Sequence, residues 1–420
     1  MGFKIKRLTN YHECLFFVVI ILSIIVDMIN GYLQNIVGID TPIGVIFRGV
    51  VMIFLFYSYL KSRLTSYKFV LTLNIILFFI ASIIWYLLER EANIFLELNM
   101  ISKLFYFYLF LIYIERYEYR INTDFSIKLG VYWGIISCSI NILCFFTGIG
   151  VKSYGDDFGF GVKAFFTGGN DFSLACIMSL SLAILYLAIN RNLKSYIILL
   201  IIVTGTLLIG TRSVIISVPL ILITSVFYIG FIKDKQLNIS RKTRLFYKWI
   251  LGGGIPAGIF YLGYWFIHNL ADDYVLERMT TAGFKSARGS LIEGAISSIN
   301  NFNGLEWIFG RGFTGSSAYV GNYMSLTYKR MIEADFHEII SSYGWFFGSS
   351  LLFIFVSLFF KSFRFFVKET TFLSIILFLS FSLIIGHSIF AGHVVFNAML
   401  VPFFGIFYLL LLKETNAKNV

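Results

Sequence analysis

The sequence predicts an all-α polytopic membrane protein with about twelve transmembrane helices. Three observations predict it. Of the 420 residues, 58% are hydrophobic and 14% are charged, where a soluble domain carries about 25% charged residues. Mean hydropathy is strongly positive, at +0.81. Apolar runs of spanning length recur along the whole chain. This composition excludes a soluble enzyme, a disordered chain and a fibre.

The runs fall at 14–33, 43–60, 69–88, 101–114, 129–148, 173–190, 195–210, 213–232, 249–268, 343–360, 371–388 and 394–412. The first follows Lys4, Lys6 and Arg7, in the manner of a secretory leader. No alanine precedes Ala81, so a small-residue cleavage motif is missing and the run is expected to stay as the first span. The fourth run is short, and the seventh and eighth are split only by the polar turn around Arg212. Cys14, Cys138, Cys144 and Cys176 lie in or beside apolar runs without metal-ligand spacing, and read as small buried hydrophobes.

Orientation follows from the loop cations. With both termini cytoplasmic, 22 of the 34 basic residues fall on inside segments and 10 outside. Acidic residues show the reverse bias, 7 inside and 15 outside. The net charge of +11 is therefore a topology signal and calls for no nucleic-acid partner. Spans one to nine occupy 1–268, an outer cap occupies 269–342, and spans ten to twelve occupy 343–420. The cap is far longer than an ordinary connection. It carries two helical patterns: Leu291, Ile292, Ala295, Ile296 and Ile299, then Met331, Ile332, Phe336, Ile339, Ile340 and Tyr343. A second outer segment, Ile149 to Phe172, is rich in glycine and aromatics.

Arg212 stands in "GTRS" at the outer boundary. Its planar fork suits a phosphate or carboxylate, and it equally suits a snorkelling helix end. In the cap, Arg278, Lys285, Arg288, Arg311, Lys329 and Arg330 either grip a lipid diphosphate or form a solvated face. Arg288 opens the helical stretch "ARGSLIEGAISSI", where free backbone N–H groups favour an anion. His337 lies beside Phe336 on the second pattern, with Glu333 one turn earlier to orient it. It serves as a proton acceptor or as an interfacial packing residue. His268, His387 and His393 fall near the outer surface without metal spacing, and Asp27, Arg48 and Lys103 are intramembrane charges expected to pair.

In order and spacing, "GTRSVIISVPL" from Gly210, "ARGSLIEGAISSI…WIFGRGF" from Ala287 and "FHEIISSYGWFFGSSLLFIF" from Phe336 resemble the O-antigen ligase and polysaccharide polymerase superfamily, the Wzy/WaaL-type membrane glycosyltransferases. The positions that carry the likeness are Arg212, Arg288, Gly310 to Gly312, His337 and Tyr343-Gly344. Glu338 stands where the family often has asparagine, and is a second candidate for the base. The resemblance implies a GT-C-like fold in a bacterial inner membrane and an outward-facing active site. It implies inverting transfer of a glycan from an undecaprenyl-diphosphate donor to a hydroxyl, with no metal or other cofactor. Arg212, Arg288 and Arg311 would bind the diphosphate, and His337 or Glu338 would take the proton. The acceptor is a second lipid-linked unit in a polymerase and a terminal acceptor in a ligase. A flippase and a chain-length regulator are the implied partners. A lipid-linked oligosaccharide transporter is the rival from another class, but the sequence lacks related halves with paired broken helices.

Overall fold

The computed structural model describes residues 10–39, 41–88, 93–153, 161–232, 240–249, 287–324, 332, 334–390, 392 and 394–416, apart from the side chains of 287, 288 and 390. Among the described residues the regular structure is helical, and β pairing is limited to a bridge between Lys152 and Val162. Among the described residues, ten helices are long and apolar enough to cross a bilayer. They are α1 (Tyr11–Val37), α2 (Ile43–Lys61), α3 (Ser66–Leu87), α4 (Ile94–Tyr117), α5 (Thr123–Thr147), α6 (Gly169–Asn190), α8 (Arg212–Phe231), α14 (Trp345–Lys368), α15 (Phe372–Phe390) and α16 (Ala398–Asn416). The protein is embedded in a membrane. Ile53, Phe79, Ile83 and Leu200 are among many large apolar side chains left on its outside, as lipid contact requires.

The ten coincide with ten of the twelve expected runs. The seventh run forms α7 (Leu193–Leu207), whose 15 residues fall short of the spanning length. Residues 250–268 of the expected ninth span lie outside the described residues, and Trp249 ends a separate short helix. The fourth run gains most in length: α4 has 24 residues, because Glu97 and Asn99 belong to it. Polar side chains hid its first two turns from a hydropathy reading.

The chain forms two compact units, one of Met1–Ile76, Leu98–Val218 and Leu351–Val420, the other of Leu77–Glu97 and Pro219–Ser350. In the first unit α6 lies deepest, with 89% of its central window buried. It packs against α5 and α7 through small residues. A methyl group on Gly134 would overlap the Ser179 hydroxyl, so glycine is required for the α5–α6 approach. Ser179 Oγ donates to the Gly130 carbonyl at 2.9 Å, and Asn141 Nδ2 to the Gly205 carbonyl at 2.9 Å. Cys138 and Cys176 meet there as free thiols 3.9 Å apart, and Cys144 is buried too. Cys14 departs from expectation and is exposed on α1.

Of the three intramembrane charges, Asp27 and Arg48 line one small cavity with Ser23 and Tyr106, and Arg48 Nη2 donates to Asn99 Oδ1 at 3.1 Å. Lys103 Nζ is turned to the Met100 sulfur, 3.6 Å away.

The second unit contains α9 (Arg241–Trp249) and the cap helices α10 (Ala287–Asn300), α11 (Gly304–Phe309), α12 (Gly312–Tyr323) and α13 (Asp335–Tyr343). Leu291 and Ala295 of α10 form a core with Val320, Ile332 and Ala334. The first expected helical pattern is thus α10, although its Ile296 is largely exposed. The second is shorter than expected. Ala334 is extended, Ile332 reaches the core from outside a helix, and α13 begins at Asp335. Asp335 and Glu338 in its first turn suit the positive end of a helix.

Candidate functional site

In the second unit, α11 is closed at its start by a capping box. Asn303 accepts from the Glu306 backbone, and the Glu306 carboxylate accepts from Asn303 N. Its end is Gly310, at φ 66° and ψ −160°, and α13 ends at Gly344, at φ 72° and ψ 177°. Backbone of this kind is essentially restricted to glycine. The two glycines also touch. A methyl group on Gly344 would sit 2.6 Å from Gly310 N, and one on Gly310 would overlap Ser342. Arg311 N donates to the Ser341 carbonyl at 3.3 Å, and Trp85 Nε1 to the Gly310 carbonyl at 3.1 Å. The "GRG" and "YG" motifs are therefore two halves of one joint.

Glu97 completes that joint, and sequence reading missed it. Its buried carboxylate accepts from Phe313 N at 2.9 Å, Thr314 N at 2.8 Å and Thr314 Oγ1 at 3.0 Å. It supplies the anion that the start of α12 favours. Its signal was an acid set in the apolar stretch "IFLELNM", which is costly there unless it is bound. Tyr343 is buried beside it. Burial first, then the Glu97 and Glu338 carboxylates, hold its phenol well above the usual value. Behind the joint, Ser316 and Ser341 hydroxyls meet at 2.6 Å, and Ser341 Oγ donates to Ser298 Oγ at 2.9 Å.

Arg311 is 7% exposed. Nη2 donates to the Asn301 carbonyl at 2.8 Å, Nε lies 3.4 Å from Glu306 Oε1, and the guanidinium sits 4.3 Å from the centre of the Tyr319 ring. Its fork is committed to ties inside the cap, which leaves little of it for a diphosphate.

His337 is half-buried on α13, edge-on to Phe336 with ring centres 5.6 Å apart. Burial lowers its pKa from the ordinary histidine value, so the ring is neutral near pH 7 and able to accept a proton. Glu338 and Asp335 of the same helix are buried. Arg288 is the second residue of α10, and α10 packs against both α12 and α13. The helix that carries Arg288 and the helix that carries His337 thus share one core.

Arg212 belongs to the first unit, whereas Arg288, Arg311, His337 and Glu338 belong to the second. It is the first residue of α8 and is exposed. The turn before it is tied to Ser153 and Val162 of the second outer segment. Val162 N donates to the Leu208 carbonyl at 2.9 Å and Ser153 Oγ to the Ile209 carbonyl at 2.7 Å. Gly161, at φ 108°, lets its backbone pass directly against the Ile209 carbonyl. Arg278, Lys285, Lys329, Arg330, Glu333, His268 and His393 lie outside the described residues. Among the described residues no group of three histidine, cysteine or acidic side chains comes together as a metal site.

No protein-family model, no curated protein and no solved structure matches this chain.

Proposed function

We propose that this protein is a GT-C-like membrane glycosyltransferase that polymerises oligosaccharide repeat units carried on a lipid diphosphate, in the manner of the polysaccharide polymerases its motifs resemble. The observation that carries the reading is the joint in the cap. Two of the three motif-bearing stretches, those from Ala287 and Phe336, form one packed body, with the Arg288 helix against the His337 helix and the two glycine motifs locked together. This gives a physical reason for the order and spacing of those motifs.

In this reading the site faces outward from a bacterial inner membrane and the termini are cytoplasmic. Arg288 neutralises the departing diphosphate, an electrostatic contribution of several kcal/mol where the donor is preorganised, and Arg212 is the second candidate for that role. His337 takes the acceptor proton as the hydroxyl attacks the anomeric carbon with inversion. His337 suits that role better than Glu338, because the imidazole is half-exposed and the carboxylate is buried. Arg311 holds the cap together. The donor carries its own activation, so no nucleotide is needed.

Arg212→Ala and Arg288→Ala should abolish polymer in a purified assay while membrane insertion persists; wild-type chain lengths in either variant contradict the reading. His337→Ala should lower turnover by about 100-fold or more with little change in donor binding. EDTA should leave the rate unchanged, and activity lost to a chelator and restored by one metal overturns the metal-free mechanism.

A further inference from the structure

The basic helix α9 takes no part in the proposed chemistry. It is nine residues long, "RKTRLFYKW", and contains no acidic residue. Ser240 closes its start, where Thr243 N donates to Ser240 Oγ at 3.2 Å. Thr243, Arg244 and Tyr247 face the protein and are partly buried. The opposite face is bare: Leu245 is 50% exposed, Phe246 61% and Trp249 78%, interleaved with exposed Arg241, Lys242 and Lys248. Arg241 and Lys242 lie in the first turn, the end of a helix where its dipole disfavours cations. They do not serve the stability of the helix itself.

The position of α9 says what covers this face. Lys248 Nζ lies 4.8 Å from the centre of the Phe231 ring, and Gly230 lies against the backbone and stem of Tyr247 and Lys248. Phe231 is the last residue of the spanning helix α8. The amphipathic helix is therefore fastened where a span leaves the bilayer, at the depth of the headgroups. Aromatic and aliphatic side chains sink toward the acyl chains there, while lysine and arginine reach up to the phosphates. The surrounding segment also holds more basic residues than any other segment assigned to the cytoplasmic side. We propose that α9 is an interfacial helix whose exposed face binds anionic phospholipid headgroups at the cytoplasmic end of α8. Charge complementarity selects anionic over zwitterionic lipid, at about fivefold in partitioning per cation close to the surface.

The test uses the full chain in nanodiscs containing a fixed minor fraction of brominated lipid, either phosphatidylglycerol or phosphatidylcholine. The fluorescence difference between wild type and Trp249→Phe isolates Trp249 among the six tryptophans. The expected result is that this component is quenched roughly twofold or more strongly by the anionic lipid. The double variant Arg241→Gln, Lys242→Gln should bring the ratio close to one while quenching by the zwitterionic lipid persists. High salt should act in the same direction. Equal quenching of the wild type by the two lipids overturns the headgroup assignment. An unquenched Trp249 overturns the interfacial placement, and assigns the face to a soluble acidic partner if such a protein then protects it. A double variant with the wild-type melting temperature establishes that any lost preference is not unfolding.

Discussion

The α5–α7 core of the first unit and the cap core of the second solve different problems. In the first, backbones approach directly. Gly134 meets Ser179 and Gly205 meets Cys138, and the polar atoms present bond to nearby carbonyls. That is how helices associate where lipid supplies no hydrophobic drive. In the cap, short helices start and stop every few residues, so their ends must be satisfied. Glu97 closes the start of α12, the Asn303–Glu306 box closes the start of α11, Arg311 ties α11 back to Asn301, and two glycines make the sharp exits. A bundle of long helices is held by what is missing from its side chains. A body of short helices is held by buried charge at its ends.

Substitutions that act differently on the two cores sharpen this contrast, and the largest effect belongs to the joint. Gly344→Ala combines a glycine-only conformation with overlap onto the Gly310 backbone, and should cost about 4 kcal/mol. A cap as resistant to proteolysis as the wild type would break the account of the joint. Glu97→Ala strands two backbone N–H groups and should cost roughly 3 kcal/mol, with Glu97→Gln recovering about half, as thermal unfolding in detergent reads it. Equal losses for the two variants would mean that space and not hydrogen bonding is what Glu97 provides. Gly134→Ala should cost about 2 kcal/mol by overpacking the bundle and should leave cap proteolysis unchanged. The smallest effect is expected for Ser179→Ala, about 0.6 kcal/mol, as one interhelical hydrogen bond is lost in a membrane.

The pH profile separates the two candidate bases of the cap. Burial lowers the His337 pKa, so the neutral, active ring persists to a lower pH than an ordinary histidine would allow. The acid limb of turnover should fall below about pH 6.5 and disappear in His337→Ala. A limb that survives in that variant points to Glu338.

The spans were legible because a bilayer imposes length and apolarity on every crossing, and ten long helices among the described residues follow the hydropathy. The start of α4 was not legible, since the polar residues that extend it are balanced by partners far away in sequence. Glu97 bonds Thr314, and Arg48 bonds Asn99. Within the cap, the periodicity of α10 showed, because Leu291 and Ala295 bury one face of a 14-residue helix. Helices α11 and α12 did not show, because six and twelve residues of glycine-rich, mixed sequence carry no clear period. The motif glycines were visible, yet their pairing is a tertiary fact. Arg311 read as one of several loop cations able to hold a diphosphate, and its engagement with Glu306 is a tertiary fact.

The most direct test of the central claim is to incubate the purified protein with one lipid-diphosphate-linked repeat unit and no other acceptor. The account predicts a ladder of lengthening glycans with stoichiometric release of lipid diphosphate, absent in Arg288→Ala. A purified, folded protein that releases no lipid diphosphate, whether alone with this donor or with added hydroxyl acceptors, contradicts it.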